Sequence, residues 1–288
     1  MQWHDIADPA DPELDRLAER YNLHPLHVED CRHRGQRAKV ETGDGYIFMV
    51  IKALALRGED SLDSSDLDIF LGADWLITVQ ETANRQVREI IEHVQAGCRN
   101  CRPDQVAYRL ADLIVDAYAP LLDQFDDRID VLEDEVLHNP RPHSLAAIFS
   151  LKRCLVDVRR VMANMRDVAN HLQRAESDLV RPDTQPFFRD VYDHLARSLD
   201  LLEGQRDLLA GAMDIYLSSV ANRTNQVMKV LTVVGTITLP VLLVSSIYGM
   251  NIEGLPWAHA NQALYRVLAV MFVLTGALLG YLKLRRWL

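Results

Sequence analysis

The chain has 288 residues, 49% of them hydrophobic, and 41 acidic against 31 basic side chains give a formal net charge of −10. That acidity argues against a nucleic-acid partner, whose phosphates call for a cationic surface, and the length allows one large domain or two modest ones. The opening MQWHDIADPADPELD is too polar for a secretory signal, so the four cysteines are read as cytoplasmic thiols and not as a disulfide framework.

Asp11 to Asn22 reads as a short helix, with Asp11 at the N-cap and Pro12 at the first helical position. Lys39 to Leu56 reads as a hairpin turning at Gly43-Asp44-Gly45, with Tyr46 to Ile51 as a buried strand. A second hairpin pairs Leu67–Leu71 with Trp75–Gln80 across Gly72-Ala73-Asp74, and Val87 to Gln95 looks helical. Residues 1–103 are therefore expected to form a small α/β domain. Cys98 and Cys101 have CxxC spacing, but no second pair completes a structural zinc site, so they are read as incidental to a helix end.

Beyond Pro103 the strand signals stop, and residues 104–228 read as a helical stalk region. Asp104 to His138 forms one long helical pattern, broken by Asn139-Pro140-Arg141-Pro142, and Ser144 to about Glu176 returns antiparallel. The acidic stretch from Asp123 to Glu135 is read as a solvated helix face. After Pro182 and Pro186, Leu195, Leu202, Leu209 and Tyr216 recur every seven residues, joined by Leu199, Met213 and Val220, with Arg206 interrupting. This a/d stripe is read as a seam for self-association. With no Gly-Pro punctuation after it, one helix is predicted from about Phe187 to Tyr248, roughly 90 Å long.

Val230–Tyr248 and Val267–Leu282 carry no charge. The first, about 19 residues, is long enough to cross a bilayer as a helix; the second, about 16, leans on Leu264 and Tyr265. Residues 229–288 thus read as a transmembrane hairpin with an outward loop at 249–263. Arg223 and Lys229 before the first span, and Lys283, Arg285 and Arg286 after the second, place both termini in the cytoplasm. The chain is expected in the inner (plasma) membrane, in contact with lipid.

Tyr248-Gly249-Met250-Asn251 stands at the outer end of the first span, after Tyr216-Leu-Ser-Ser-Val-Ala-Asn-Arg-Thr-Asn and a Leu239-Pro240 pair. With Phe188-Arg-Asp-Val-Tyr-Asp-His194, His24-Pro25-Leu26-His27-Val28-Glu29-Asp30 and the basic ending, it resembles the CorA family of divalent-cation transporters over nearly the whole chain. The resemblance implies an α+β cytoplasmic domain on long stalk helices, a two-helix transmembrane hairpin, and a funnel-shaped homopentamer around one pore.

It also implies a selectivity filter at Gly249, Met250 and Asn251. Mg²⁺ dehydrates reluctantly, and an Asn carbonyl is a neutral acceptor for the hydrogens of its bound water. Asn225, Met228, Leu231, Gly235, Leu239, Leu242 and Ser246 share one helical stripe, read as the pore face, with Leu231 and Leu239 as a dewetting gate. Related channels often carry Thr where Leu242 stands and Gly where Ser246 stands. Glu253 is placed at the outer mouth, where its charge would concentrate cations. In magnesium members, cytoplasmic acids between neighbouring domains bind Mg²⁺ and hold the channel shut; the matching positions are Glu29, Asp30, Asp112 and Asp190. Mg²⁺ is thus both cargo and regulator, with Co²⁺ or Ni²⁺ as further cargo.

Gly254-Leu255-Pro256-Trp257 looks more like the zinc-transporting ZntB branch, and His138, His143, His171, His194 and His259 add donors that suit zinc. A proton-coupled Zn²⁺ transporter is therefore the alternative, and a membrane-anchored scaffold a third. An enzyme is not expected, since there is no P-loop, dinucleotide fingerprint or nucleophile-base set.

Overall fold

The computed structural model describes residues 1–58, 61–81, 84–98, 100–250, 255–257 and 262–285, which fall into two compact units, Met1–Asp214 and Ile215–Leu288. The first unit opens with strand β1 (Gln2–Ile6) and two short helices, α1 (Pro12–Arg20) and α2 (Pro25–Arg32). Both helices start at a proline preceded by a side-chain cap. Asp11 accepts from the Glu13 N–H at 2.9 Å, and His24 Nδ1 accepts from the Leu26 N–H at 3.2 Å.

Strands β2 (Lys39–Thr42), β3 (Tyr46–Arg57), β4 (Ser61–Gly72) and β5 (Trp75–Gln80) then run as an antiparallel meander, and β1 adds in parallel to β5. The sheet order is β1-β5-β4-β3-β2. Both expected hairpins are present, with a longer β3–β4 pairing between them. From Tyr46 to Leu54 every residue of β3 is buried, because both sheet faces are covered. Phe48, Val50 and Phe70 pack with Leu14 and Leu17 of α1 and Val28 of α2. The helices α4 (Pro103–Asp116) and α6 (Pro142–Gln173) lie against β3 and β4. Between β5 and α4, helix α3 (Arg85–Gly97) buries its face of Val87, Ile91 and Val94.

The predicted helix over residues 104–138 is two helices, α4 and α5 (Tyr118–His138), parting at Ala117. Pro120 has no N–H for the Asp116 carbonyl and crowds it, which favours a break there. Burial anchors the joint, since the Tyr118 hydroxyl donates to the Lys52 carbonyl inside the core.

Helix α7 (Gln185–Gly249) runs as one 65-residue element through both units. In the first unit the leucine stripe does not wait for a second copy. Leu195, Leu202 and Leu209 are 0–2% exposed within this single chain. Gln205, on the same side, donates to the Leu122 carbonyl and the Asp126 carboxylate of α5 at 2.9 and 2.8 Å. For Leu195, Leu202 and Leu209 an intermolecular seam is therefore ruled out, with α5 bound through Gln205 and α6 through the Arg159–Glu203 pair at 3.1 Å, whereas Val220 at the end of the predicted stripe stays 41% exposed. The residues one place earlier in the register, Leu201, Leu208 and Ile215, are left exposed.

In the second unit, the rest of α7 is followed by α8 (Ala263–Leu284). The least exposed positions recur every four residues on each helix: Thr236, Pro240, Val244 and Tyr248 on α7, and Val267, Met271, Thr275 and Leu279 on α8. These mark the sides along which the hairpin meets. The Tyr248 hydroxyl donates to the Pro256 carbonyl at 2.9 Å, tying the end of α7 to the loop. Both helices are long and apolar enough to cross a membrane, and nearly all their apolar surface is exposed.

Candidate functional site

A buried polar lock sets the geometry where α4 and α7 begin. Thr184 donates to Asp104 at 2.7 Å, and Arg102 bonds Asp183 at 2.8 Å. Burial works against the Asp104 charge, but hydrogen bonds from Thr184, Arg102 and the Arg181 backbone hold its carboxyl below the ordinary value. Phe188, fully buried, packs edge-on to the Tyr108 ring, fixing α7 against α4.

One turn further along, the two helices bring four titratable groups together. Asp112 and Asp116 lie four apart on α4, and Asp190 and His194 four apart on α7, so each pair shares a helix face. Ligand atoms of Asp112, Asp190 and His194 lie within 4.8 Å of one another. His194 Nδ1 is 3.5 Å from Asp116 and its Nε2 is 3.7 Å from Asp190. The Tyr108 hydroxyl donates to Asp112 at 3.2 Å.

The electrostatics record crowding. Burial, then the neighbouring Asp116 charge, pushes the Asp112 carboxyl above its ordinary value. Burial and the charges of Asp112, Asp190 and Asp116 push the Tyr108 hydroxyl up to about 12. Like charges gathered at a half-buried site favour a bound proton or cation. Carboxylate oxygens suit a hard ion such as Mg²⁺, and the imidazole extends the set toward softer divalent ions.

Of the four acids singled out in the sequence, Asp112 and Asp190 come together within one chain. Glu29 and Asp30, on α2, are not in that group. Asp30 is held by Lys39 at 2.7 Å, Lys39 also grips Glu41 at 2.9 Å, and Glu41 bonds His27 at 3.0 Å. Glu29 is exposed, with His33 at 3.9 Å. His194, expected only as a zinc donor, and Asp116, not expected at all, join the group; Asp-x-x-x-His and Asp-x-x-x-Asp spacing on the helices signals both.

In the second unit, the stripe Asn225, Met228, Leu231, Gly235, Leu239, Leu242 and Ser246 is exposed throughout and lies away from the side that meets α8. Gly235 leaves open space where a Cβ would project. Gly249 ends α7, and Met250 follows, more than half exposed, its N–H bonded to the Ile247 carbonyl at 3.3 Å. Asn251 and Glu253 lie outside the described residues.

Comparison with known proteins gives this arrangement its context. The family model described as "CorA-like Mg2+ transporter protein" matches residues 1–285. The chain belongs to the CorA family. The cobalt/magnesium transport protein CorA of Thermotoga maritima is 38% identical over 279 residues, spanning 96% of this chain and 80% of that protein. The complete structure of the CorA magnesium transporter from Methanocaldococcus jannaschii superposes with a TM-score of 0.86 at 25% identity, covering 99% of this chain and 91% of that one. The cytoplasmic domain of ZntB from Vibrio parahaemolyticus shares the fold at a TM-score of 0.61 and 15% identity, over 76% of this chain and 88% of its own. As a CorA-family member, the chain is a membrane transporter of divalent cations rather than an enzyme.

Proposed function

We propose that several copies of this chain, five by family likeness, form a Mg²⁺ channel whose pore is lined by α7 and whose opening is set by Mg²⁺ at the first unit. The observation that carries the reading is the exposed α7 stripe from Asn225 to Ser246, which ends at Gly249-Met250-Asn251 and has no partner within one chain's described residues. Leu201, Leu208 and Ile215 continue an exposed heptad before it, a surface for helices of neighbouring copies. Both termini lie in the cytoplasm by the charge of the flanks.

The chemistry follows from the ion. A ring of Asn251 carbonyls with the Gly249 backbone grips hydrated Mg²⁺ through its water, firmly enough to select and weakly enough to release. Glu253 raises the cation concentration at the mouth. Leu231 and Leu239 close the path by excluding water, and Asn225 forms the inner polar ring.

Mg²⁺ regulation is assigned to Asp112, Asp190 and His194, with Asp116 beside them. A divalent ion there cancels the repulsion among the acids and stabilises whichever arrangement holds them closest, the closed one in this reading. Asp190 is 60% exposed, so it retains ligand directions for a neighbouring copy, where Glu29 and Asp30 are the acids on offer. Asp30 must first leave Lys39. The cobalt in the Thermotoga relative's name and the imidazole at the site make Co²⁺ the second ion to test. The experiment is Mg²⁺ entry into liposomes loaded with a fluorescent indicator. Asn251→Ala is expected to lose most of the flux at unchanged protein content, and wild-type flux in that variant would remove the filter assignment.

A further inference from the structure

The side of α7 that meets α8 does not stop where α8 ends. Asn222, Gln226, Lys229 and Thr232 continue it at helical spacing below Thr236 and Pro240. There they line an open cavity of about 730 Å³, joined from α8 by Arg285. Asn225 and Met228 form its edge toward the pore stripe. The guanidinium of Arg285 rests 5.7 Å from the centre of the Tyr281 ring, which holds it at the cavity mouth.

The charge balance here is one-sided. From Ile215 to Leu288 the sequence has a single acid, Glu253, at the other end of the hairpin. The end beside the cavity carries Arg223, Lys229, Lys283, Arg285 and Arg286. Among the described residues, neither Lys229 nor Arg285 pairs with a carboxylate. In a chain of net charge −10, Lys229 and Arg285 form a pair of cations with no carboxylate partner among the described residues, beside amide donors from Asn222 and Gln226. Lys and Arg heads with amide N–H groups form a site for phosphate oxygens. The cavity lies where the apolar span gives way to polar helix, and Tyr281 and Leu284 are exposed beside it, so a ligand there meets water at one end and hydrocarbon at the other.

We propose that this cavity binds the phosphate of an anionic phospholipid, held by Lys229 and Arg285 and positioned by Asn222 and Gln226, with the acyl chains lying along the exposed surface of α8. The proposal rests on the membrane topology given above, which sets this end of the hairpin at the cytoplasmic leaflet. Two cations at an anionic surface give an expected preference of about thirtyfold for an anionic over a zwitterionic lipid.

The test is native mass spectrometry of the full-length chain, delipidated in detergent and given phosphatidylglycerol or phosphatidylcholine at equal concentration. Wild type is expected to retain phosphatidylglycerol about thirtyfold better. Lys229→Gln with Arg285→Gln is expected to lose most of that preference, while Lys229→Arg with Arg285→Lys keeps it. Equal retention of the two lipids by wild type, or a preference that survives the Gln substitutions, overturns the proposal. Inorganic phosphate displacing phosphatidylglycerol at equal concentration would assign the pocket to soluble phosphate and overturn the lipid assignment. Flotation with liposomes is run on the same samples: wild type that fails to float contradicts the membrane topology and leaves the cavity's chemistry to the phosphate arm.

Discussion

Asp190→Asn separates the two roles of the acidic group at α4 and α7. Ligand atoms of Asp190 and Asp112 lie within 4.8 Å, and two unit charges at that distance repel by about 3 kcal/mol at an effective dielectric of about 20. The Asp190 side chain is 60% exposed, so solvent screening reduces this to about 1 kcal/mol. Without divalent ions, removing the charge should therefore stabilise the first unit by about 1 kcal/mol, or about 3 °C for a domain of this size. The Asp112 carboxyl, raised by burial and by neighbouring acids, should move down toward its ordinary value. Mg²⁺ reverses the order. At about a hundredfold excess over its dissociation constant, an ion bound to the native state alone adds about 2.7 kcal/mol, and a site missing one carboxylate gains far less. The assay is the melting temperature of the full-length chain in detergent, with Mg²⁺ titrated from zero. The two curves should cross, with the variant melting higher without Mg²⁺ and lower at saturation. A variant with the full wild-type Mg²⁺ response would refute the assignment of Asp190 as a ligand.

Two further substitutions test the packing. Leu208 and Leu209 are neighbours on α7 with opposite surroundings, 47% and 1% exposed. Leu209→Ala should cost about 3 kcal/mol of stability through the cavity it leaves and keep the oligomeric state, while Leu208→Glu should leave each copy folded and break the assembly; light scattering and thermal melts read both, and the reverse pattern would reject the corrected seam. Asp68 lies 2% exposed in β4, where burial, then the nearby Asp66 charge, pushes its carboxyl up to about 7. An unfolded Asp ionises near its ordinary value of about 4, so stability should fall as pH rises from about 4 to about 7, by up to about 4 kcal/mol. Asp68→Asn should flatten that slope in a pH series of melting temperatures, and an unchanged slope would assign it to other groups.

Some of this was legible in the residues and some was not. The run Tyr46–Ile51 announced a strand covered on both faces, and Asp11-Pro12 announced a helix start, because each signal is local. Strand β1 escaped because only Ile6 of its five residues is buried. Its place comes from pairing with β5, residues 75–79, which no local pattern encodes. The break at Ala117 was written in Pro120, outweighed by the helical period around it. The heptad pattern of the leucine stripe implies a covered face but not its cover: Leu195, Leu202 and Leu209 are buried inside one chain instead of between copies, and only tertiary placement reveals that. Asp112 and Asp190 came from family likeness. Their meeting with His194 needed the docking of Phe188 on Tyr108, a contact between residues 80 positions apart. Nor does sequence separate Asp30 as a free acid from Asp30 held by Lys39.

The most direct test of transport under cytoplasmic control is flux into proteoliposomes of defined orientation, with Mg²⁺ and Zn²⁺ supplied separately and Mg²⁺ varied on the face that carries the first unit. Mg²⁺ should enter, and its entry should cease as Mg²⁺ on that face reaches millimolar levels. Zn²⁺ entry that ignores Mg²⁺ on that face and grows with a proton gradient would contradict the proposed channel and its regulation together.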